Sequence, residues 1–333
     1  MGTKVRWGIL STAAIARKTL IPAIQRAENA EVVAIASGSG KAHEAAQQFG
    51  IPTAYNNYED LLAAPNIDAV YIPLPNYMHM EWTMKAAEHK KHVLCEKPAA
   101  LCEDDARKMV EVCRENGVVW MEAFMYQFHP QHQRVKEILA SGEIGTVKSM
   151  RASFSFYLAE RENNIRMGAK FGGGSLLDVG CYCVHSIRYL LETEPVALSV
   201  HSTYDEPYGV DMVTNGWMKM NNGVHVLFDC SFDMFARNEY EIIGTKGKLS
   251  VPRAYRPDVQ QGNGLIIIQT DDGKTREEVV NGDQYRLQVE HVSQCILAGT
   301  TPSYSDDAII QQAKALDACR MSAETGKVVE LTV

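Results

Sequence analysis

The stretch Val93-Leu94-Cys95-Glu96-Lys97-Pro98-Ala99-Ala100 decides how the first third of the chain reads. An apolar run forms a buried strand, and a carboxylate, an amine and a proline stand at its end. Open α/β sheets bind ligands outside the carboxyl ends of their parallel strands, so Lys97 sits where such a fold places function. Its ammonium, with a reference pKa of about 10.4, becomes a proton donor or acceptor if burial or a nearby cation lowers that value. A solvated Glu-Lys pair, with Pro98 ending the strand for lack of an N–H, explains the same residues. Taken alone, the eight residues favour that plainer explanation, and their surroundings must decide.

Around them, the first 120 residues alternate apolar strands with helical segments. Strands are expected at Val5–Leu10, Glu31–Ala36, Ala69–Ile72, His92–Cys95 and Val118–Met121. Helices are expected at Ala14–Ala27, from about Lys41 to Phe49, and at Asp60–Ala64, Met78–Glu88 and Cys102–Glu115. Such alternation implies right-handed βαβ units and a parallel sheet. Beyond about residue 124 the pattern changes. A helix at Gln131–Ser141 leads into strands with period-two alternation, Lys148–Phe156 and Val210–Met220, then Val224–Phe232, Tyr240–Gly244 and Leu265–Gln269. Turn signals separate them at Asn221-Asn222-Gly223, Gly244-Thr245-Lys246-Gly247 and Asp271-Asp272-Gly273. Helices recur at Leu176–Leu191, Arg286–Ala298 and Asp306–Glu324. The expected architecture is an α/β domain over 1–123 and an α+β domain with a mostly antiparallel sheet over 124–333.

Bulk properties narrow the function. A length of 333 residues favours two domains, and 46% hydrophobic content is ordinary for a globular chain. The net charge of −8 argues against nucleic acid or an anionic membrane as the main partner. No apolar run approaches the roughly 18 residues that span a bilayer. The N-terminus, Met1-Gly2-Thr3-Lys4-Val5-Arg6, enters a strand without a signal-peptide core. Eight cysteines are scattered without metal-ligand spacing, so no metal site is expected; Cys95, Cys113 and Cys230 read as small buried residues. A reducing, cytoplasmic setting follows.

After the first strand comes Gly8-Ile9-Leu10-Ser11-Thr12-Ala13-Ala14-Ile15-Ala16. A dinucleotide fingerprint places glycines here for the turn, the approach to pyrophosphate and close helix packing. In that register the positions hold Ser11, Ala13 and Ala16, all small, with only the upstream Gly8 a glycine. Phosphate at the helix N-terminus, over Ser11, Thr12, Ala13, Ala14 and Ile15, and an ordinary tight turn both fit. The second strand ends in Ala36-Ser37-Gly38-Ser39-Gly40-Lys41, without the acidic residue that binds a ribose 2′-hydroxyl in NAD-binding chains. Ser37, Gly38, Ser39 and Lys41 suit a 2′-phosphate better, which favours NADP, with NAD possible. A Gly/Ser loop whose lysine starts the next helix is the alternative.

Three further segments occur in order: Ile72-Pro73-Leu74-Pro75-Asn76-Tyr77-Met78-His79, the Glu96-Lys97-Pro98 stretch, and Gly172-Gly173-Gly174-Ser175-Leu176-Leu177-Asp178-Val179-Gly180-Cys181-Tyr182. With Met121-Glu122-Ala123-Phe124-Met125-Tyr126 and the turn at Gly244, they resemble the glucose–fructose oxidoreductase / inositol dehydrogenase / rhizopine catabolism family over nearly the whole chain. The resemblance implies a Rossmann domain followed by a domain with a large open sheet, and an active site between them. It implies that Leu74, Asn76 and His79 border the adenosine pyrophosphate and ribose, and that Glu96 and Lys97 lie beside the nicotinamide. Asn76 also reads as a helix N-cap. The family's Lys-Pro bond is often cis.

In the third segment, Asp178, Tyr182 and His185 follow at i, i+4 and i+7, on one helical face. Ser175-x-x-Asp178 is equally a capping-box pattern, Tyr182 a buried tyrosine with a satisfied hydroxyl, and His185 a core histidine. Many family members carry histidine where this chain has Tyr182 and aspartate where it has His185. Tyrosine there resembles the subgroup of glucose–fructose oxidoreductase, dimeric dihydrodiol dehydrogenase and xylose dehydrogenases. Arg161, Asn164 and Arg166 lie in a polar loop that meets solvent, a polyol or a phosphate; Tyr285 precedes a helix as a hydrophobic staple or, as the resemblance implies, near the nicotinamide.

The expected chemistry is hydride transfer from an alcohol carbon to a nicotinamide, with Tyr182 taking the hydroxyl proton, Lys97 orienting the oxygen and lowering the tyrosine's pKa, and Asp178 binding a neighbouring hydroxyl or holding the lysine. The expected substrate is a pyranose or a related cyclic alcohol or carbonyl. Oxidation of a cyclic trans-dihydrodiol, hydride shuttling between two sugars on a retained cofactor, and a non-catalytic NADP sensor are the alternatives. An open sheet needs a partner over its outer face, so a homodimer or higher homo-oligomer is expected.

Overall fold

The computed structural model describes residues 3–332. The first two residues of the N-terminal reading, and Val333 at the end of the second domain, lie outside the described residues. The chain divides into two compact units. One comprises the residues up to Met125 together with Tyr285–Ala313; the other comprises Tyr126–Gln284 together with the residues from Lys314 on.

In the first unit, six parallel strands, β1 Val5–Leu10, β2 Ala30–Ala36, β3 Thr53–Tyr55, β4 Ala69–Ile72, β5 His92–Cys95 and β6 Trp120–Glu122, lie in the order β3-β2-β1-β4-β5-β6. The order reverses between β1 and β4, the point at which doubly wound sheets open a ligand crevice. The central strands β1, β4 and β5 are nearly all apolar because helices cover both faces of such a sheet. The helix Ala42–Phe49 ends at Gly50 in the left-handed conformation. The expected Asp60–Ala64 helix runs instead over Tyr58–Ala63, because the Asn57 side chain caps it by accepting from the Asp60 N–H at 2.8 Å. The segment after Tyr285 belongs to this unit. Trp7 Nε1 donates to Ser293 Oγ at 3.1 Å, and Trp120 Nε1 donates to Asp306 Oδ1 at 3.0 Å. The chain thus leaves this unit after Met125 and returns to it over Tyr285–Ala313, a return that no local pattern announces.

The second unit carries nine strands among the described residues: β7 Val147–Tyr157, β8 Pro195–Asp205, β9 Val210–Met220, β10 His225–Ser231, β11 Asp233–Gly244, β12 Gly247–Val251, β13 Asn263–Thr270, β14 Thr275–Asn281 and β15 Val329–Glu330. Their order is β14-β13-β12-β11-β7-β10-β9-β8-β15, antiparallel throughout except for the β7–β10 pair. Along β9 burial alternates strictly, so one face meets the core and the other is open. The core face is covered in part by the helix Cys181–Leu191, and nine of its eleven residues are buried. Among the described residues no helix is long and apolar enough to cross a membrane.

Candidate active site

The dinucleotide end lies in the first unit. Ser11, Thr12 and Ala13 are half-buried in the turn that joins β1 to its helix, Ala14 is exposed and Ile15 half-buried. Ser11 takes φ +142°, a backbone conformation that favours glycine, and its hydroxyl accepts from the Ala13 N–H at 3.0 Å. Serine thus performs the turn that the fingerprint assigns to its first glycine. Gly8 serves packing instead, since a Cβ there would come within 2.8 Å of Leu61. At the end of β2, the Ser37 and Ser39 hydroxyls lie 2.8 Å apart, and Gly38 has open space around it. Lys41 precedes the helix Ala42–Phe49.

Sequence reasoning missed Tyr58. Burial leads the rise of its hydroxyl pKa, and the neighbouring Gly38 backbone and Ser11 side chain oppose that rise. Its ring meets Trp82 edge-on at 4.8 Å. The signal was a tyrosine directly after a helix-capping asparagine. These small, hydroxyl-rich turns at the reversal of strand order fit a dinucleotide phosphate, and the lack of a carboxylate after β2 fits a 2′-phosphate.

Next to this turn in strand order, the loop after β4 brings Leu74 into the buried interior and leaves Asn76 half-buried in a tight turn, Asn76–Met78. The following helix begins at His79, with Met78 at its cap position, so Asn76 is not its N-cap. His79 lies deeper. It is fully buried, with Nδ1 2.8 Å from the Pro98 carbonyl oxygen and Nε2 2.8 Å from that of Leu74. It joins two loops; burial pushes its pKa down, the two carbonyls oppose that, and Lys97 adds to it.

At the end of β5, Glu96 accepts from the Tyr71 hydroxyl, Lys97 is half-buried, and Lys97-Pro98 is cis. Glu122, at the end of β6, accepts from the Ala99 N–H at 2.8 Å and from the Tyr304 hydroxyl at 3.1 Å. Tyr285 is buried in the first turn of the helix Gln284–Ala298.

The second unit gathers a separate group. Gly174, at φ +106°, lets Asp211 approach so closely that a Cβ would fall 2.0 Å from its Oδ1. Asp211 Oδ2 accepts from Ser175 Oγ and from the Leu176 N–H, both at 2.7 Å, and from Thr214 Oγ1 at 3.0 Å. The expected capping box is therefore absent: Ser175 is already helical and makes no side-chain cap, and a strand residue 35 positions away from Leu176 caps the helix. The first turn, Leu176–Gly180, is widened to the π form before the α-helix Cys181–Leu191 begins.

Asp178 pairs with Arg166, whose Nε donates to Oδ2 at 2.7 Å. The Asp178 carboxylate holds the guanidinium above its ordinary pKa, and Tyr182 adds to the effect. Tyr182 is buried, its ring 5.3 Å from Phe154, 5.5 Å from Tyr255 and 5.9 Å from Tyr126. Arg161 is held by Asp205 and Asp233, while Asn164 caps the short turn Ile165–Met167. His185 takes the core position: 1% exposed, with Nδ1 2.6 Å from the Tyr126 hydroxyl, and burial pushes its pKa well below the usual histidine value.

The chain is similar to known proteins over nearly its whole length. The model of an oxidoreductase family, NAD-binding Rossmann fold, matches residues 5–124, and that of the GFO/IDH/MocA C-terminal domain matches residues 132–250. The chain is 39% identical to D-xylose 1-dehydrogenase (NADP(+)) 2 of Haloferax volcanii, over 98% of this chain and 99% of that one. It is 31% identical to trans-1,2-dihydrobenzene-1,2-diol dehydrogenase of Mus musculus, over 90% of each. The crystal structure of KijD10, a 3-ketoreductase from Actinomadura kijaniata in complex with NADP and TDP-benzene, superposes with a TM-score of 0.90 at 30% identity, covering 96% of this chain and 98% of that one.

Proposed function

Because the chain belongs to the GFO/IDH/MocA oxidoreductase family, we propose that it is an NADP-preferring dehydrogenase of a pyranose, with Lys97 and Tyr182 handling the proton of one substrate hydroxyl. The enzyme class is NAD(P)-dependent oxidoreduction at a CH–OH group of a sugar or related cyclic alcohol or carbonyl. A nicotinamide held there would supply the acceptor for the hydride of the alcohol carbon. Tyr182 takes the hydroxyl proton, helped by the Lys97 ammonium, which orients the oxygen and favours the phenolate. Asp178, fixed by Arg166, accepts a hydrogen bond from a neighbouring hydroxyl. Ser11, Thr12, Ala13, Ala14 and Ile15 would hold the pyrophosphate; Ser37, Gly38, Ser39 and Lys41 would hold the 2′-phosphate.

The observation that carries this reading is the half-buried Lys97 at the carboxyl end of β5, on a turn whose neighbours are held by Glu122 and His79. The test is absorbance at the reduced-nicotinamide band with aldopyranoses and trans-cyclic diols, each with NADP+ and NAD+. Reduction of NADP+ by a pentose or hexose, faster than reduction of NAD+, is expected. Turnover of the diols alone moves the substrate to the dihydrodiol class, and no turnover with high-affinity NADPH binding makes the chain a sensor. Eight free cysteines support a reducing, cytoplasmic setting.

We further propose that two copies pair through the open face of the nine-stranded sheet. That face holds Arg151, Arg237, Asp229, Glu239 and Glu241, with Leu227 exposed among them, around a shallow depression of about 620 Å³. Both signs of charge on one surface suit a self-complementary two-fold contact. Sedimentation as a dimer or larger assembly is expected at micromolar concentration, and a monomer would refute the pairing.

A further inference from the structure

The Pro98–Ala99 peptide group is gripped at both ends. Its carbonyl oxygen lies 2.8 Å from His79 Nδ1, and its N–H donates to Glu122 Oε1 at 2.8 Å. His79 comes from the helix after β4, and Glu122 from the end of β6. One peptide plane is thus held at its carbonyl by the helix that precedes β5 in the chain and at its N–H by the strand β6 that neighbours β5 in the sheet. Each holder is itself anchored. His79 Nε2 meets the Leu74 carbonyl at 2.8 Å, and Glu122 Oε2 takes the Tyr304 hydroxyl at 3.1 Å. Tyr304 comes from the segment that returns to this unit near the end of the chain, and its ring meets Phe124 edge-on at 6.2 Å.

The energetics make this more than turn decoration. His79 is 0% and Glu122 1% exposed. Taking a carboxylate out of water costs several kcal/mol even after relaxation. A turn N–H needing only a partner would find a backbone carbonyl or water at far less cost. A fixed buried acceptor is warranted where the position of the next residue matters, because misplacing a reacting group by about 1 Å costs on the order of 100-fold in rate. The residue fixed here is Lys97, one peptide bond before Pro98.

We propose that Glu122 and His79 are positioning residues for Lys97, and that Tyr304 braces Glu122 so that the returning segment sets the geometry of the reacting turn. This rests on the reading of Lys97 as the proton-handling lysine. The role is geometric, so an amide that still accepts from Ala99 should serve where a methyl cannot.

The experiment compares Glu122→Ala with Glu122→Gln. It measures the exchange rate of the Ala99 amide, the dissociation constant for NADPH by fluorescence, and kcat and KM with the aldose that reduces NADP+ fastest. For Glu122→Ala, faster Ala99 exchange and a loss of about tenfold or more in kcat are expected, with the NADPH dissociation constant held within about threefold. Glu122→Gln should restore both exchange protection and kcat. In a Lys97→Ala background, Glu122→Ala should cost nothing further. Release of the Ala99 amide with kcat unchanged overturns the proposal, as does a Glu122→Gln variant as slow as Glu122→Ala. If Lys97→Ala itself turns over normally, the reading of Lys97 falls, while Ala99 exchange still reports on the grip without any substrate. Should Glu122→Ala not fold, Tyr304→Phe removes a single hydroxyl; faster Ala99 exchange and a lower kcat are expected, and no change in either contradicts the brace.

Discussion

Arg166 Nε donates to Asp178 Oδ2 at 2.7 Å, and this pair links the polar loop before the glycine run to the first turn of the Tyr182 helix. The pair exists because Asp178 is not needed as a cap. Asp211, reaching from β9, satisfies the helix N-terminus and leaves the Asp178 carboxylate to face Arg166. Two residues with competing local explanations thereby become one unit beside a buried tyrosine.

That unit gives the first prediction. Arg166→Gln should raise KM for the sugar by about tenfold while changing the NADPH dissociation constant little, because a charge-assisted hydrogen bond that orients Asp178 is worth roughly 1.5–3 kcal/mol. Asp178→Asn should do the same. Isothermal titration with NADPH beside steady-state kinetics separates the two effects, and parallel loss of cofactor affinity would count against a substrate role.

Coenzyme choice follows from the end of β2. A carboxylate at position 39 would face the 2′-phosphate where the Ser39 hydroxyl now pairs with Ser37 at 2.8 Å. Ser39→Asp should weaken NADP+ by roughly 100-fold or more and favour NAD+, the acidic residue being the one that binds a ribose 2′-hydroxyl. Competition between NADPH and NADH for the protein, read by fluorescence, checks this without turnover. Unaltered preference would move the discriminating contact elsewhere.

Much of this was legible in the sequence. The strands β1, β2, β4 and β5 are short apolar runs with clear helical partners, and their ends agree with expectation to within about a residue. The strands β8, β12 and β14 escaped notice for different reasons. Strand β14, Thr275–Asn281, is largely exposed and lacks alternation; β12 has only five residues; β8 opens on a proline, Pro195, allowed as the first residue of a strand. Lys97, Asp178 and Tyr182 stood out in the sequence because their segments are in family order. Glu122, Tyr304 and Asp211 act across 23, 182 and 35 positions of sequence respectively, beyond the reach of any local pattern. His79 and His185 show the converse: conspicuous in sequence, they are spent on the interior.

The buried histidines give a pH prediction. Burial pushes His132 down to about 3, with its Nδ1 2.9 Å from the Tyr240 hydroxyl, and lowers His185 and His79 as well. Each is neutral in the folded protein but takes a proton near pH 6.5 when unfolded. Below pH 6.5 the unfolded state therefore binds more protons, so stability is full above that value and falls as the pH drops toward about 3. Urea midpoints at pH 7.5 and 4.5 should differ clearly in wild type and less in His132→Gln. Equal slopes in the two proteins would show that His132 does not contribute.

The proposal that Lys97 and Tyr182 act on one proton is tested most directly by a double-mutant cycle in kcat/KM with Lys97→Met, Tyr182→Phe and the double variant. Each single change should lower kcat/KM by about 100- to 10,000-fold with NADPH binding kept, and the double variant should be scarcely slower than the worse single one, as for groups that work as a unit. Losses that multiply in the double variant, or a single variant with near-normal turnover, would contradict it.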